Sequence, residues 1–282
     1  MPLSLMPQPT PSPVVDQAQS SAIAPAIYGA EVNQFHTRLL RVSLAEEESR
    51  AYWAQLKTPG PKENRAAIAF EERWFGNKSM DRVKRLLSEF RHRYDAYPTA
   101  LNVLRAWQPS DPITRQNICH WHMQLTDPTY RNFTGSFLEQ RRLQTKAEID
   151  RDIIARWVAL QLPTEWSTTT IQRMATGLLA SAKAAGLCSD NVGSRSLQYP
   201  KVTDEALVYW LYFLRGLSFK GTILENPYFA SVGLSEGFLE QRLRRVEGLS
   251  FNRMGDLHDF TWQYPHLLAW ASQELKLVWE SD

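Results

Sequence analysis

The chain has 282 residues, 43% of them hydrophobic, which is enough for two modest domains with real cores. Its 32 Lys+Arg and 30 Asp+Glu nearly cancel, so no global field draws it onto nucleic acid or an anionic membrane, and any basic surface has to be local. Cys119 and Cys188 are the two cysteines, which excludes a disulfide scaffold and a four-thiolate metal site and suits a reducing cytoplasm.

Residues 1–30, with "MPQPTPSPVVDQAQSSAIAP", are rich in Pro, Ser and Gln, lack periodicity and read as a disordered tail. They carry neither a basic region nor a sustained apolar core, so no signal peptide is expected. From Glu31 helical periods dominate. "FHTRLLRVSLAEEESRAYWAQL" spaces its apolar groups as a helix, and "NRAAIAFEERWFG" adds a short helix closed by Gly76. "NKSMDRVKRLLSEFRHRYDAYP" then starts at Ser79 as N-cap and stops before Pro98. Val83, Leu86, Leu87, Phe90 and Tyr94 fall on one face of this helix, and Lys84, Arg85, Ser88 and His92 lie away from it. A helix, a tight turn and a second helix with a basic outer face is a helix-turn-helix pattern. Residues 31–145 are therefore read as an N-terminal helical domain.

Residues 146–218 read as a winged-helix-like domain. "EIDRDIIARWVALQL" is amphipathic, and the "PTEW" turn leads into "WSTTTIQRMATGLLASAKAAGLC". There Ser167 or one of Thr168 to Thr170 caps a helix whose buried stripe is Ile171, Met174, Leu178, Leu179 and Ala182, with Gly186 as its end signal. "LCSDNVGSRSLQYPKV" reads as a strand, a turn at "DNVGS" and a second strand, which together form the wing. "DEALVYWLYFLRGL" is a largely buried helix. Its apolar run is about half of the roughly 20 residues a membrane span requires, so no membrane is expected as a partner. Residues 219–282 carry a helix from about Glu236 to Val246, and a short strand such as "GLSFNRM" or "DLHDFTW" is expected to contribute to a second hairpin. "FLEQR" occurs at Phe137–Arg141 and at Phe238–Arg242 without extending into a repeat. The fold class expected is mainly α, with helix-turn-helix and winged-helix-like helical domains and one or two small β-hairpins.

Three motifs raise catalysis or metal binding, and each has a simpler structural explanation. "GLSEG" matches the nucleophile elbow with Asp256 and His258 downstream, but that elbow needs a parallel α/β sheet, and Ser235 serves as an N-cap. Cys119, His120 and His122 in "ICHWH" point to different sides of a helix and have no second ligand pair, so no metal site is assigned. Arg115 and His120 in "RQNICH" have the Arg and His spacing of helical HEPN ribonucleases, which makes such a nuclease an alternative. No phosphate-binding loop or dinucleotide fingerprint is present, so no cofactor is expected. The chain is read as a non-enzyme.

The remaining chemistry is local positive charge. Arg82, Lys84, Arg85, Arg91 and Arg93 crowd one helix against Asp81 and Glu89, with Lys78 just ahead of it. Arg173 and Lys183 project from the Thr-rich helix, and Arg195 and Lys201 lie in and just past the wing. The DNA-contacting residues expected are Lys78, Arg82, Lys84, Arg85, His92, Thr169, Arg173, Thr176, Lys183, Arg195 and Lys201. Thr169, Thr176 and Ala180 offer few groups that read base edges, which predicts backbone contacts with strong salt dependence.

In order and pattern, "KSMDRVKRLLSEFRHRYDAYP", "WSTTTIQRMATGLLASAKAAGLC" and "ENPYFASVGLSEGFLEQRLRR" followed by "GDLHDFTW" resemble the BrxA family of accessory proteins in bacterial BREX phage-defence systems. The resemblance runs from about Glu31 to Trp270 and contains no catalytic signature. It implies a mainly helical protein with helix-turn-helix-like parts that binds double-stranded DNA and works beside other BREX components. The competing expectation is an interaction scaffold whose basic faces dock acidic patches on a partner protein. The sequence leaves the oligomeric state open.

Overall fold

Helix starts follow the caps written into the sequence. In the computed structural model, which describes residues 27–56, 64–161, 166–235, 237–255 and 257–277, Ser79, Asp111, Asp127, Ser167 and Thr203 each accept a hydrogen bond from a backbone N–H one turn in. Pro112 and Pro128 occupy the first helical position behind their Asp caps, where a missing N–H costs nothing. The tail expected over residues 1–30 lies outside the described residues up to residue 26, as does "PTE" at 163–165.

The chain forms α1 (Glu46–Gln55), α2 (Arg65–Glu71), α3 (Met80–Phe90), α4 (Pro98–Trp107), α5 (Pro112–Thr126), α6 (Pro128–Asn132) and α7 (Leu138–Arg142). β1 (Glu148–Ile149), α8 (Arg151–Gln161), α9 (Thr168–Ala184), β2 (Arg195–Ser196) and α10 (Asp204–Leu214) follow. The C-terminal part holds α11 (Pro227–Ala230), α12 (Gly237–Leu243), β3 (Leu249–Met254), β4 (Leu257–Trp262) and α13 (Leu267–Glu274). The fold is mainly α, with two small two-stranded antiparallel sheets. No helix among the described residues is long and apolar enough to cross a membrane.

α5 and α10 form the centre. From Ala206 to Leu214 every residue of α10 is buried, and Trp210 stacks on Trp121 of α5 with ring centroids 5.6 Å apart. Burial of this order, at about 25 cal/mol per Å² of apolar surface, is what holds short helices in place when their own propensity cannot. Buried apolar side chains form one contiguous cluster from Tyr28 to Ala271.

Two elements differ from the sequence reading. The periodic stretch "FHTRLLRVSLAEEESRAYWAQL" is not one helix: a single 3₁₀ turn at Arg38–Leu40 is separated from α1 by Ala45, which adopts a left-handed conformation at φ +52°. Glu148–Ile149, read as part of a helix, is instead β1, which pairs antiparallel with β2 (Glu148 opposite Ser196, Ile149 opposite Arg195). Cys188 bridges Leu197 on the other side of that strand. The wing is therefore tied from both sides, with the order β1, α8, α9, Cys188, turn, β2. The second hairpin is β3–β4, with Met254 opposite Leu257 next to its turn. The two copies of "FLEQR" occupy unlike places, one crossing a π turn (Phe133–Phe137) into α7 and the other within α12.

Candidate nucleic-acid interface

α9 buries Met174, Ala175, Leu178 and Ala182 and exposes Thr169, Arg173, Thr176, Ala180 and Lys183 along one stripe. Arg173 and Lys183 stand about 15 Å apart along it, ten residues at 1.5 Å each. The rim of that stripe is set by a close approach. Gly177 faces the 3₁₀ turn, and a Cβ there would lie 3.3 Å from Leu39 Cγ and 3.4 Å from its carbonyl oxygen. With Leu39 seated on α9, the residues that follow it stand beside α3.

The result is a surface cleft of about 470 Å³ lined by Thr37, Leu40, Arg41, Lys84, Arg85, Ser88 and Arg173. Its four cations come from three separate segments, the 3₁₀ turn's end, α3 and α9. Arg41, Lys84, Arg85 and Arg173 are all exposed and make no ion pair among the described residues. Arg82 does not join them directly. Its Nη1 donates to the Arg41 carbonyl at 2.8 Å, so it fixes the backbone that carries Arg41.

Other residues expected at this surface are spent elsewhere. Lys78 lies 3.7 Å from Glu48. His92 is half-buried, donates from Nε2 to the Thr126 carbonyl at 3.2 Å and packs edge-on to His36. Burial, chiefly, lowers its pKa, so it supplies no charge to the cleft. Arg93, counted on the basic rod from the sequence, is buried and donates to the carbonyls of Leu44 (2.7 Å) and Ser43 (3.2 Å). Behind the cleft, Arg38 pairs with buried Glu89 at 3.2 Å, and burial pushes that carboxyl above its usual range.

Towards the wing, Lys183 pairs with Asp190 at 3.1 Å, both groups exposed, so the pair is weak and the lysine can exchange partners. Arg195 turns back to donate to the Ser189 carbonyl at 3.1 Å and braces the loop whose tip carries Val192 and Gly193. Lys201 is exposed at the strap leaving the wing, and its carbonyl accepts from Asn117. The hydroxyl of Thr176 donates to the Gln172 carbonyl within its own helix, which leaves it little capacity to read a base. Arg41 and Thr37 were missed because the sequence places them inside a continuous helix; "RLLR", with cations flanking an apolar pair, was the one available signal.

The residues of the catalytic alternatives face inward or stand apart. His120 is fully buried between the Tyr130 hydroxyl (2.8 Å) and Ser231 Oγ (2.9 Å), and burial drives its pKa down to about 3. Arg115 is buried against Glu46 and Glu47 and donates to the Ser110 carbonyl at 2.6 Å. His122 hydrogen-bonds with the Tyr209 hydroxyl at 2.8 Å. Among the described residues no group of three or more His, Cys, Asp or Glu could hold a metal ion. Ser235 is exposed, His258 sits on β4, and Asp256 lies outside the described residues.

Comparison with known proteins places this architecture. No curated protein matches. A crystal structure of an uncharacterized protein from Magnetospirillum magneticum superposes with a TM-score of 0.52 at 16% identity, covering 65% of this chain and 97% of that one, which establishes similarity of fold. The sequence model of the BrxA family matches residues 33–209, a span that holds the whole cleft, α9 and the wing. The chain belongs to the BrxA family of BREX-associated proteins.

Proposed function

We propose that this protein is a non-enzymatic, double-stranded DNA-binding accessory of a BREX-type phage-defence system, gripping the phosphate backbone with little sequence discrimination and working beside other BREX components in the cytoplasm. The observation that carries the reading is the cleft: Arg41, Lys84, Arg85 and Arg173 converge from three segments, with no carboxylate among the lining residues and no ion pair to any of the four among the described residues. Holding four cations together costs free energy unless a polyanion occupies the site. The order β1, α8, α9, bridge, turn, β2 is the connectivity of a winged helix, in which the second helix enters the major groove and the wing touches the neighbouring backbone. α9 presents Thr169, Thr176 and Ala180 where base-reading side chains would stand, which favours backbone contacts over direct readout.

The test is equilibrium binding to several unrelated duplexes of equal length across a salt series. Similar affinities for all of them, falling steeply as salt rises, are expected. No binding at about 50 mM salt, where phosphate contacts are strongest, would end the proposal.

A further inference from the structure

The family match ends at residue 209, and beyond it come two short helices and a hairpin, without the leading strand of the earlier unit. α11 leads through a turn at Gly233, φ +77°, into α12, and the β3–β4 hairpin follows directly. Leu249 and Phe251 anchor the base of the hairpin in the core. From Asn252 to Asp259 every described residue is exposed, and with Arg253 and His258 reaching back to Glu240 of α12 it is the tip that stands clear. At its end Met254 and Leu257 face each other across the turn, 75% and 72% exposed. Two large apolar side chains at the exposed tip of a hairpin do nothing for the core and are a solubility cost.

Beside them is a basic notch. Between α12 and β3 lies a recess of about 370 Å³ whose polar lining is Arg244, Ser250, Asn252 and Arg253, with no carboxylate among the lining residues. Glu240, nearly buried, accepts from Arg253 at 2.7 Å and lies 3.8 Å from Arg244. It orders both guanidiniums, each of which keeps further donors free. Arg245, exposed next door, makes no ion pair among the described residues.

This unit is joined to the wing by the strap Tyr199–Asp204. The Tyr199 ring covers Gly233, where a Cβ would come within 2.7 Å of it. Arg242 donates to the Val202 carbonyl at 3.0 Å and pairs with Asp204, either side of Thr203 and one residue past Lys201. The notch is thus tied to the strap that leaves the wing and carries Lys201.

We infer that α12 and the β3–β4 hairpin form a second contact for the same duplex, with Arg244 and Arg253 holding a backbone phosphate and the Met254–Leu257 tip lying in the minor groove. Arginine suits phosphate because its planar fork donates two parallel hydrogen bonds, and apolar side chains from minor-groove binders pack against sugars and wedge between base steps. The inference rests on the DNA-binding reading above and extends it to residues outside the family match.

The experiment uses the full chain with a duplex of about one helical turn (~11 bp) and one of about four turns (~42 bp) across a salt series. Arg244→Gln with Arg253→Gln is expected to lower the salt slope on the long duplex by about 0.9, for the one phosphate the pair holds, while leaving the short duplex unchanged. Met254→Ser with Leu257→Ser, which leaves Glu240 and its partners intact, is expected to weaken long-duplex binding at least several-fold, and it decides the matter if the arginine variant fails to fold. Wild-type affinity and slope in the folded variants overturn the inference even where cleft variants abolish binding. Absence of DNA binding in the unmodified chain would overturn the reading beneath it as well.

Discussion

Replacing Lys84, Arg85 and Arg173 together by Gln tests the cleft at its centre. All three side chains are exposed and have no ion-pair partner among the described residues, so their loss breaks no contact that holds the fold. Surface changes of this kind stay within about 0.5 kcal/mol each, and the urea midpoint should barely move. Binding is another matter. If each of the four cleft cations neutralises one phosphate, the cleft contributes about −3.6 to the slope of log K against log salt, and hence a loss of roughly 150-fold in affinity between about 50 and 200 mM. The triple variant keeps only Arg41 in the cleft, and its slope should be shallower by about 2.7. Fluorescence anisotropy with a labelled duplex at four or five salt concentrations measures this directly. A folded triple variant whose slope stays within about 0.5 of the original would refute the claim that these side chains meet phosphates.

The remaining predictions probe how the cleft and the core are built. Gly177→Val places a branched side chain where even a Cβ sits 3.3 Å from Leu39; it should cost about 1–3 kcal/mol and weaken DNA binding by lifting the 3₁₀ turn off α9, readable by thermal melting and anisotropy together. Gly135→Ala puts its Cβ 2.5 Å from Pro227 Cβ and 2.7 Å from its carbonyl oxygen, so it should destabilise by at least about 2 kcal/mol in urea; unchanged stability would show that this contact is not tight. His120 and His122 titrate near 3 in the folded chain, held down mainly by burial, against about 6.5 when unfolded. Above pH 6.5 both are neutral in both states and stability is full. As pH falls below 6.5 the unfolded chain takes up two protons that the folded chain refuses, so stability should drop by on the order of 4 kcal/mol by pH 5. Buried Asp127 and Glu89, whose pKa values are raised, act in the opposite sense and blunt the lower end of the profile. A urea midpoint that does not decline from pH 7 to 5 would contradict this burial.

Much of the fold was legible because capping and periodicity are local. Ser79 and Ser167 mark the starts of α3 and α9, Gly186 at φ +70° follows the end of α9, and "GLSFNRM" and "DLHDFTW" each offer a strand, though their pairing as β3 and β4 comes from the fold. The buried face of each helix was legible too, since Met174 and Leu178 go in and Arg173 stays out. What was not legible depends on distant partners. β1 is two residues long, too short for any pattern, and it exists because β2 lies beside it. The break at Ala45 requires a left-handed residue that nothing in the local sequence announces, and with it went the position of Arg41. The approach of Leu39 to Gly177, which joins α3 and α9 into one cleft, is a tertiary fact with only an unremarkable mid-helix glycine to signal it.

Charge counting along the sequence overstates the basic surface because an arginine with five donors has strong reasons to face inward. Buried carbonyls left over at helix ends and tight turns need donors, and a guanidinium supplies several at once. Arg93 serves Ser43 and Leu44, Arg82 serves Arg41, Arg195 serves Ser189, and Arg131 serves Gln124, Leu125 and Val32. Arg82, Arg93 and Arg195 reinforce backbone beside the candidate interface, and Arg131 does the same elsewhere in the fold. The cations that remain are set apart by what they lack. Lys84, Arg85 and Arg173 lie on helices, and Arg41 on a backbone pinned by Arg82, so the backbone beneath them has little to reorder when an anion arrives and the entropy lost is that of the side chains. On the DNA-binding proposal this surface would bind through charge carried on a braced frame, with the internal arginines acting on it through geometry. Arg82→Gln should therefore weaken binding by disordering Arg41 while removing a charge that does not line the cleft, and Arg82→Lys, which keeps the charge but donates less readily to the Arg41 carbonyl, should fail to restore it fully.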